Sequence, residues 1–229
     1  MRTLAIIPAR GGSKRIPRKN IKDFLGKPII AYSIEAALNS SLFDEVMVST
    51  DDAEIAEVAE KYGASVPFYR SGENSNDYAS TVSVLTEVLS KYLEKGMKFD
   101  AACCLYPTAP FVTSEILWKA FEMLREKSID CVFPVIQFSF PIQRALKLNI
   151  DNRVKMFYPQ YLMSRSQDLE KAYHDSGQFY FFKPDVIIGE QRLYTDNTGA
   201  IILDELGGQD IDNEVDWALA EMKYKLRNV

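Results

Sequence analysis

Hydrophobic and polar positions follow two alternating periods over the first 135 residues of this 229-residue chain. Short apolar runs of strand length are separated by segments whose apolar residues recur every three or four positions, which is the spacing of one helix face. This alternation predicts βαβ units and a mostly parallel sheet flanked by helices, the α/β class. The predicted strands cover residues 4–8, 45–49, 64–69, 100–105 and 131–135, and the predicted helices cover 28–39, 51–62, 80–92 and 113–126, with Gly63 as a left-handed C-cap.

The alternation lapses between residues 137 and 172, where aromatic residues are mixed with charges and turn residues. A strand at 178–182, further short strands and an amphipathic helix at 213–226 follow. We interpret residues 1–229 as a single domain and 137–172 as an excursion from its sheet. The excursion is either a long surface hairpin or an arm for dimerisation that carries part of a substrate pocket. We favour the arm, because exposed aromatic clusters usually have a partner.

Composition and charge narrow the class of protein. The 27 Lys and Arg residues against 32 Asp and Glu residues give a net charge of −5, which disfavours a nucleic-acid binder. No apolar run approaches the roughly 20 residues of a membrane helix, and the N-terminal apolar stretch is too short for a signal peptide. Cys103, Cys104 and Cys131 lie in apolar segments and are expected to be buried, reduced thiols. We therefore expect a cytoplasmic protein that binds neither nucleic acid nor a membrane.

The strongest chemical signal lies directly after the first strand, where residues 8–20 read PARGGSKRIPRKN. The adjacent Gly11 and Gly12 let the backbone approach a ligand closely, and five bases lie within ten residues. The carboxyl end of the first strand is also where α/β sheets bind ligands. The spacing matches neither the Walker A loop nor the G-x-G-x-x-G dinucleotide motif. The segment therefore predicts a polyphosphate site, with a solvated basic loop as the alternative.

This segment resembles the fingerprint of the bacterial sugar-acid cytidylyltransferases, a family that includes the CMP-sialic acid synthetases. Residues 9–20 match every fixed position of the family pattern A-R-x-G-S-K-x-x-P-x-K-N. Further likenesses follow in the family's order over almost the whole chain. They are KPIIAYSI at 27–34, VSTDD at 48–52, PTAP at 107–110 and QDID at 209–212.

The resemblance implies a fold of the nucleotide-diphospho-sugar transferase type, a homodimer, and a reaction of CTP with a nine-carbon sugar acid. The anomeric hydroxyl of the sugar attacks the α-phosphorus and pyrophosphate leaves, so catalysis is chiefly positioning and electrostatic stabilisation. The implied catalytic residues are Lys19, Arg10 and Asp212, with Lys19 nearest the reacting phosphorus. The implied nucleotide-binding residues are Arg10, Gly11, Gly12, Ser13, Lys14, Lys19, Arg70, Ser80 and Thr81.

A metal site is expected at Asp210 and Asp212, which correspond to the family's metal-binding motif. Two carboxylates placed two residues apart on an extended segment share one face, and their hard oxygen atoms suit Mg²⁺. Without the family context, such a pair is as often a surface feature as a metal site. The polar residues at the start of the predicted helix 80–92 have a structural explanation as well, because N-capping by Asp77 or Ser80 would account for them without a ligand.

The segments SQDL at 166–169 and YHDSGQ at 173–178 resemble the pseudaminic acid cytidylyltransferase branch of the family. Tyr106 stands where the sialic acid enzymes often have glutamine, a departure that points to a different sugar. Arg165 suits the sugar carboxylate, because its planar guanidinium binds a carboxylate with two hydrogen bonds. A lone histidine is more often structural than catalytic, and a base role for His174 stays open. The expected substrate-binding residues are Tyr106, Thr108, Arg165, Gln167, His174, Asp175 and Gln178.

The sequence therefore predicts an Mg²⁺-dependent enzyme that makes CMP-pseudaminic acid. Within the same reaction, the alternatives are N-acetylneuraminic, legionaminic and 3-deoxy-octulosonic acids. A non-catalytic nucleotide-binding protein would be expected to lose Lys19, Asp210 or Asp212, and all three are present. An RNA-binding protein fits poorly with the net charge of −5.

Overall fold

The computed structural model describes residues 1–126 and 129–227, and a mixed sheet of seven strands lies at its centre. Numbered along the chain, the strands are β1 (Thr3–Pro8), β2 (Asp23–Phe24), β3 (Lys27–Pro28), β4 (Glu45–Ser49), β5 (Ala101–Leu105), β6 (Cys131–Gln137), β7 (Leu146–Leu148), β8 (Val154–Met156), β9 (Tyr173–Asp175), β10 (Phe179–Phe182) and β11 (Thr198–Leu203). The order in the sheet is β11-β6-β10-β5-β1-β4, with β9 beside β6. The pairs β2–β3 and β7–β8 form separate hairpins.

Three helices begin directly after a residue that supplies a side-chain cap. Asp52, Ser80 and Thr113 each accept a hydrogen bond from a backbone N–H three residues further on. Gly63 has φ +93°, which confirms the predicted left-handed position after the second helix. The helices are α1 (Ile29–Ser40), α2 (Ala53–Lys61), α3 (Thr81–Glu94), α4 (Ser114–Leu124), α5 (Pro184–Glu190) and α6 (Glu214–Arg227).

The predicted mostly parallel sheet is confirmed, with two exceptions in strand direction. β1 is parallel to β4 and β5, and β6 is parallel to β11, whereas β10 is antiparallel to β5 and β6. β9 is also antiparallel to β6. The predicted strand at 64–69 is wrong, because only Ser65 bridges Met47 of β4. Pro67 follows within this segment and has no N–H to extend the ladder.

The sheet is buried on both faces, as its apolar strands predict. On β1, Ala5 and Ile7 pack in one hydrophobic cluster with α1 and α4, whereas Leu4 and Ile6 pack in another with α3. The three cysteines are buried and free, which confirms the interpretation of them as core thiols. Burial raises the pKa of Cys131 to about 12, so this thiol stays protonated and unreactive near neutral pH.

A third hydrophobic cluster, beneath α6, matters for the site described below. It includes Ile16 from the basic loop, Ile211 from the QDID segment, and Phe24 and Trp217. Ile16 and Ile211 are each 1% exposed. Because both side chains enter one cluster, the basic loop and the acidic segment are held next to each other although they lie at opposite ends of the chain.

After β6 the chain departs from the main sheet. The β7–β8 hairpin lies outside the sheet, and the chain returns through β9. Apolar side chains of the excursion are exposed, among them Leu148, Phe140 and Ile150, the last at 97%. Its predicted role in dimerisation stays a prediction. In the two ranges that the structure describes, no helix is both long and apolar enough to cross a membrane.

Candidate active site

A cavity of about 630 Å³ opens at the carboxyl ends of β1 and β5, where an α/β sheet is expected to bind its ligand. The loop after β1 forms one wall, and the QDID segment and the turn after β9 form the other. Nine residues predicted from the sequence line the cavity, namely Arg10, Ser13, Lys14, Lys19, Tyr106, Thr108, Asp175, Asp210 and Asp212.

The basic loop is held in place by acidic residues at the end of β4. The Gly11 N–H donates to Asp51 Oδ1 at 2.9 Å. Arg18 has a left-handed backbone with φ +54°, and its guanidinium donates to Asp52 at 2.5 and 3.0 Å and to Glu54 at 2.5 Å. The hydrogen bond to Asp52, together with the charges of Asp52 and Glu54, raises the pKa of Arg18. Arg18 is therefore a structural tie of the loop.

The two glycines of the loop have different surroundings. A Cβ atom at Gly11 would lie 2.5 Å from Asp52 Oδ2, so the backbone there is packed against the start of α2. A Cβ atom at Gly12 would have no heavy atom within 4 Å. Gly11 therefore allows the backbone to approach the Asp52 carboxylate of the protein itself. Of the two loop glycines, Gly12 is the one with open space beside it, where a ligand could approach.

Asp77 joins two cations of the loop. Its carboxylate accepts a hydrogen bond from Arg10 at 2.8 Å and another from Lys14. The bonds from Lys14 and Arg10 hold the pKa of Asp77 below its usual range. Asp77 therefore binds the same two cations, Arg10 and Lys14, that an anionic ligand in the cavity would bind. The helix cap predicted for either Asp77 or Ser80 is made by Ser80.

Lys19 links the basic loop to the acidic segment. Its Nζ donates to the Ile211 carbonyl oxygen at 2.6 Å, between Asp210 and Asp212. Burial lowers the pKa of Lys19, while Asp212 and Asp210 act in the opposite direction. Arg15 adds an ion pair with Asp212 Oδ1 at 2.7 Å.

The two aspartates form the candidate metal site. Both carboxylates line the cavity, and the pKa of Asp210 is raised by burial and then by the charge of Asp212. Asp212 is fixed through its N–H, which donates to Asp216 Oδ2 at 2.9 Å at the start of α6. The described residues hold no cluster of three or more His, Cys, Asp or Glu side chains suited to a metal. The donor set fits Mg²⁺, which is commonly bound by one or two carboxylates together with substrate phosphates.

Two tyrosine rings form a further part of the cavity lining. The Tyr106 and Tyr180 rings meet edge to face with centroids 5.9 Å apart. The Tyr106 hydroxyl lies 3.3 Å from Thr81 Oγ1, so Thr81 reaches the site through Tyr106. Burial raises the pKa of Tyr106, which keeps this hydroxyl protonated.

Other predicted site residues lie outside the walls of this cavity. Arg70 is buried and donates to the Ser49 carbonyl oxygen at 2.5 Å and to Ser49 Oγ at 3.1 Å. Burial lowers the pKa of this guanidinium. Arg165 and Gln167 lie in the exposed excursion, where contact with a substrate stays a prediction.

His174 and Gln178 flank the turn after β9 in different ways. His174 lines a neighbouring cavity of about 420 Å³, and its ring lies 5.0 Å from that of Phe138. Gln178 is 1% exposed, and its Nε2 donates to the Gly207 carbonyl oxygen at 3.1 Å. Direct contact between Gln178 and the sugar stays a prediction, and the amide of Gln178 is enclosed behind the cavity wall.

Sequence reasoning missed several residues of this cavity. The sequence suggests Asp77 only as a helix cap, Arg15 only as one of the five bases in the loop, and Tyr180 only as part of a strand. The alternation of β10 could have pointed to Tyr180, which lies on the opposite face from Phe181. The ion pairs of Asp77 and Arg15 join residues 63 or more positions apart, for which one sequence carries no signal.

Comparison with known proteins decides the family. The family model described as cytidylyltransferase matches residues 4–196. The pseudaminic acid cytidylyltransferase of Campylobacter jejuni is 47% identical over 228 residues, which cover 100% of this chain and 98% of that protein. The chain belongs to the cytidylyltransferase family. The CMP-N,N'-diacetyllegionaminic acid synthase of Legionella pneumophila is a further relative of this cytidylyltransferase, at 36% identity over 99% of the chain and 97% of that protein.

A solved structure shares the fold of this cytidylyltransferase. It is a CMP:2-keto-3-deoxy-manno-octonic acid synthetase complexed with CTP, with a TM-score of 0.72 over 100% of this chain and 99% of that one. At 18% identity, this likeness concerns the fold alone. It confirms the predicted nucleotide-sugar transferase type of sheet.

Proposed function

We propose that this cytidylyltransferase condenses CTP with pseudaminic acid and releases CMP-pseudaminic acid and pyrophosphate. The observation that carries the proposal is the opposition of Lys19 to Asp210 and Asp212 within one cavity of a chain from this family. The choice of sugar rests on the C. jejuni relative, which is 47% identical over its full length.

The basic loop is suited to hold the triphosphate. Arg10, Ser13 and Lys14 line the cavity, and the two cations are at present paired with Asp77. Binding of CTP would exchange that carboxylate for phosphate oxygens, which likewise accept charge-assisted hydrogen bonds. Lys19 lies nearer the acidic segment, where it would stabilise the negative charge that develops as pyrophosphate leaves.

Asp210 and Asp212 would hold Mg²⁺. When bound, the metal would neutralise charge on the phosphate oxygens and help orient the reacting oxygen atoms. Arg15 balances the charge of Asp212 in the protein as described, and Lys19 fixes the backbone between the two aspartates. The chain's own part is to keep both carboxylates on the cavity side of one short segment.

The sugar acid would enter from the side of Tyr106, Thr108 and the turn after β9. Asp175 lines both this cavity and the adjoining one, whereas His174 lines the adjoining one, so the two differ in what they can contact. Arg165 and Gln167 would reach the substrate only if the excursion of one protomer lay against the cavity of its partner. This arrangement fits a homodimer joined through residues 137–172. The three reduced core thiols fit a reaction in the cytoplasm.

The test is release of pyrophosphate from CTP and Mg²⁺, with pseudaminic, N-acetylneuraminic, legionaminic and 3-deoxy-octulosonic acids offered in parallel. Turnover confined to pseudaminic acid is the expected result. A preference for another of the four acids would retain the reaction but refute the proposed sugar. Silence with all four would refute the proposal and favour a protein that binds a nucleotide without catalysis.

A further inference from the structure

The Asp175 carboxylate faces the active-site cavity, yet the protein itself binds both of its oxygen atoms. Tyr194 donates its hydroxyl to Oδ2 at 2.8 Å, and Tyr180 donates to the same oxygen. The Gly177 N–H donates to Oδ1 at 2.8 Å. Because an ionised carboxylate accepts about four hydrogen bonds, three of the places are already filled by the chain.

The two tyrosines act as donors near neutral pH. Burial, followed by the hydrogen bond and charge of Asp175, raises the pKa of Tyr194 to about 12, and burial raises the pKa of Tyr180 further. Both hydroxyls therefore keep their protons. Tyr194 lies outside the walls of the active-site cavity and is half exposed, at 50%. Its hydroxyl therefore bonds to the Asp175 carboxylate without itself lining the cavity.

The turn that Asp175 stabilises lies against Asp210. Gly177 adopts φ +65°, a conformation that favours glycine, and its N–H is the one held by Asp175. A Cβ atom at Gly177 would lie 3.0 Å from Asp210 Cγ and 3.1 Å from its Oδ1. The carboxyl group of Asp210 therefore rests directly on the backbone of this turn.

A second contact joins the same turn to the segment before Asp210. Gln178 Nε2 donates to the Gly207 carbonyl oxygen at 3.1 Å and to Ser176 Oγ at 3.3 Å. A Cβ atom at Gly208 would lie 2.6 Å from that nitrogen, so the two segments are in close contact. The turn therefore holds both the backbone and the side chain that lead into the acidic pair.

We propose that Tyr194 is a positioning residue for Asp210, acting through Asp175 and the turn at Gly177. The path runs from the Tyr194 hydroxyl to the Asp175 carboxylate, then to the Gly177 N–H, and from the Gly177 backbone to the Asp210 carboxyl group. The inference rests on the proposed function, since it assigns to Asp210 the binding of a divalent cation.

The test compares Tyr194→Phe with Tyr69→Phe. Tyr69 is exposed to a similar extent, 54%, and lies outside the walls of both cavities described above. Binding of Mn²⁺ to CTP-loaded protein without sugar acid is followed by electron paramagnetic resonance and corrected for Mn²⁺ held by CTP alone. The Mg²⁺ activation constant and the KM for the sugar acid are measured alongside.

For Tyr194→Phe, we expect Mn²⁺ affinity to fall about ten-fold and the Mg²⁺ activation constant to rise by a similar factor. Such a loss is at the lower end of what is seen when a group that orients a metal ligand is removed. The KM for the sugar acid should change less than two-fold, and Tyr69→Phe should match the wild type. Tyr194→Phe removes only one hydroxyl group, and a thermal unfolding curve checks that the fold is retained.

Asp210→Asn distinguishes failure of the metal assignment from failure of the positioning role of Tyr194. If Asp210→Asn leaves Mn²⁺ binding unchanged, or if the wild type binds no Mn²⁺ beyond that held by CTP, the metal assignment fails and the inference fails with it. If Asp210→Asn abolishes Mn²⁺ binding but Tyr194→Phe leaves it unchanged, the positioning role alone is overturned. A Tyr194→Phe variant altered only in the KM for the sugar acid would likewise overturn it, because Asp175 would then act on the sugar.

Discussion

The ammonium group of Lys19 donates a hydrogen bond to the main-chain oxygen of Ile211 at 2.6 Å, across 192 positions of sequence. Ile211 separates the two aspartates of the acidic segment, and its side chain shares a buried cluster with Ile16 of the basic loop. The same packing that buries these two isoleucines therefore brings a cation to the pair of carboxylates. The chemistry of the site depends on the hydrophobic cluster beneath α6.

Replacement of Lys19 tests this arrangement. Lys19→Met should lower kcat by about 10²–10³-fold, the usual loss when one charge-stabilising donor is removed from a transition state. Lys22→Met is the matched control, because Lys22 lies in the same turn but pairs with Glu214 outside the cavity at 2.7 Å. Steady-state pyrophosphate release measures both variants. A Lys19→Met enzyme with kcat within about three-fold of the wild type would contradict the catalytic assignment.

The two loop glycines supply a paired test of stability. Gly11→Ala should lower the free energy of unfolding by about 1–3 kcal/mol, because the new Cβ atom would overlap Asp52 and disturb its bonds to Arg18. Gly12→Ala should change it by less than about 0.5 kcal/mol, since the space is open. Urea unfolding of both variants measures the difference. Equal losses in the two would show that Gly11 has no special packing role.

Much of the fold could be predicted from the sequence because the longer helices have a local period and the parallel strands are short apolar runs between them. The direction of β10 could not, since a short apolar run reads the same whether its neighbours are parallel or antiparallel. The strand predicted at 64–69 was wrong for a local reason, because Pro67 ends the pairing that begins at Ser65. The basic loop and the acidic pair were found through contiguous motifs.

The support around the site was harder to predict. Asp77 pairs with Arg10 and Lys14, and Tyr194 reaches Asp175, only because the fold brings distant segments together. Gln178 stays a predicted substrate contact, and its enclosed amide bonds to the segment that leads into Asp210. A motif identifies which residues belong to a site, and packing decides which of them face the ligand.

Asp77 competes with the triphosphate for two cations, and this can be measured. Asp77→Asn should lower the KM for CTP by about two- to five-fold at low salt, the scale of an exposed ion pair. The difference should shrink as ionic strength rises, because salt screens exposed charges. Initial rates over a series of CTP and NaCl concentrations provide the test. A raised KM would instead show that Asp77 helps to shape the loop for CTP.

The exposed apolar residues of the excursion lead to a prediction about assembly. Sedimentation at micromolar concentration should show a homodimer, and Ile150→Glu should weaken its association by about ten-fold or more, as for a charge placed in an interface core. Val215→Glu serves as the control, because Val215 is an exposed apolar residue on α6, outside the excursion. A wild-type monomer would refute the dimer, and equal weakening in both variants would refute the excursion as the contact.

The acid stability of the protein should depend on Glu87, which supports the loop that carries Asp77. Burial alone would raise the pKa of Glu87, but Lys91, Asn74 and Ser71 outweigh it with hydrogen bonds and lower the pKa to about 2. A lowered carboxyl pKa contributes stability above the ordinary value of 4.5, and this is lost as the pH falls from there to about 2.

Glu87→Gln should therefore flatten the dependence of the unfolding free energy on pH between about 5 and 2, by about 3 kcal/mol over that interval. Urea unfolding at several pH values measures the slope for the wild type and the variant. Glu60→Gln on the exposed side of α2 should retain the wild-type slope, since its side chain lies in solvent. If Glu87→Gln also retained that slope, the ion pair and hydrogen bonds around Glu87 would contribute no acid-sensitive stability, and the loop bearing Asp77 would have to be held by its other contacts.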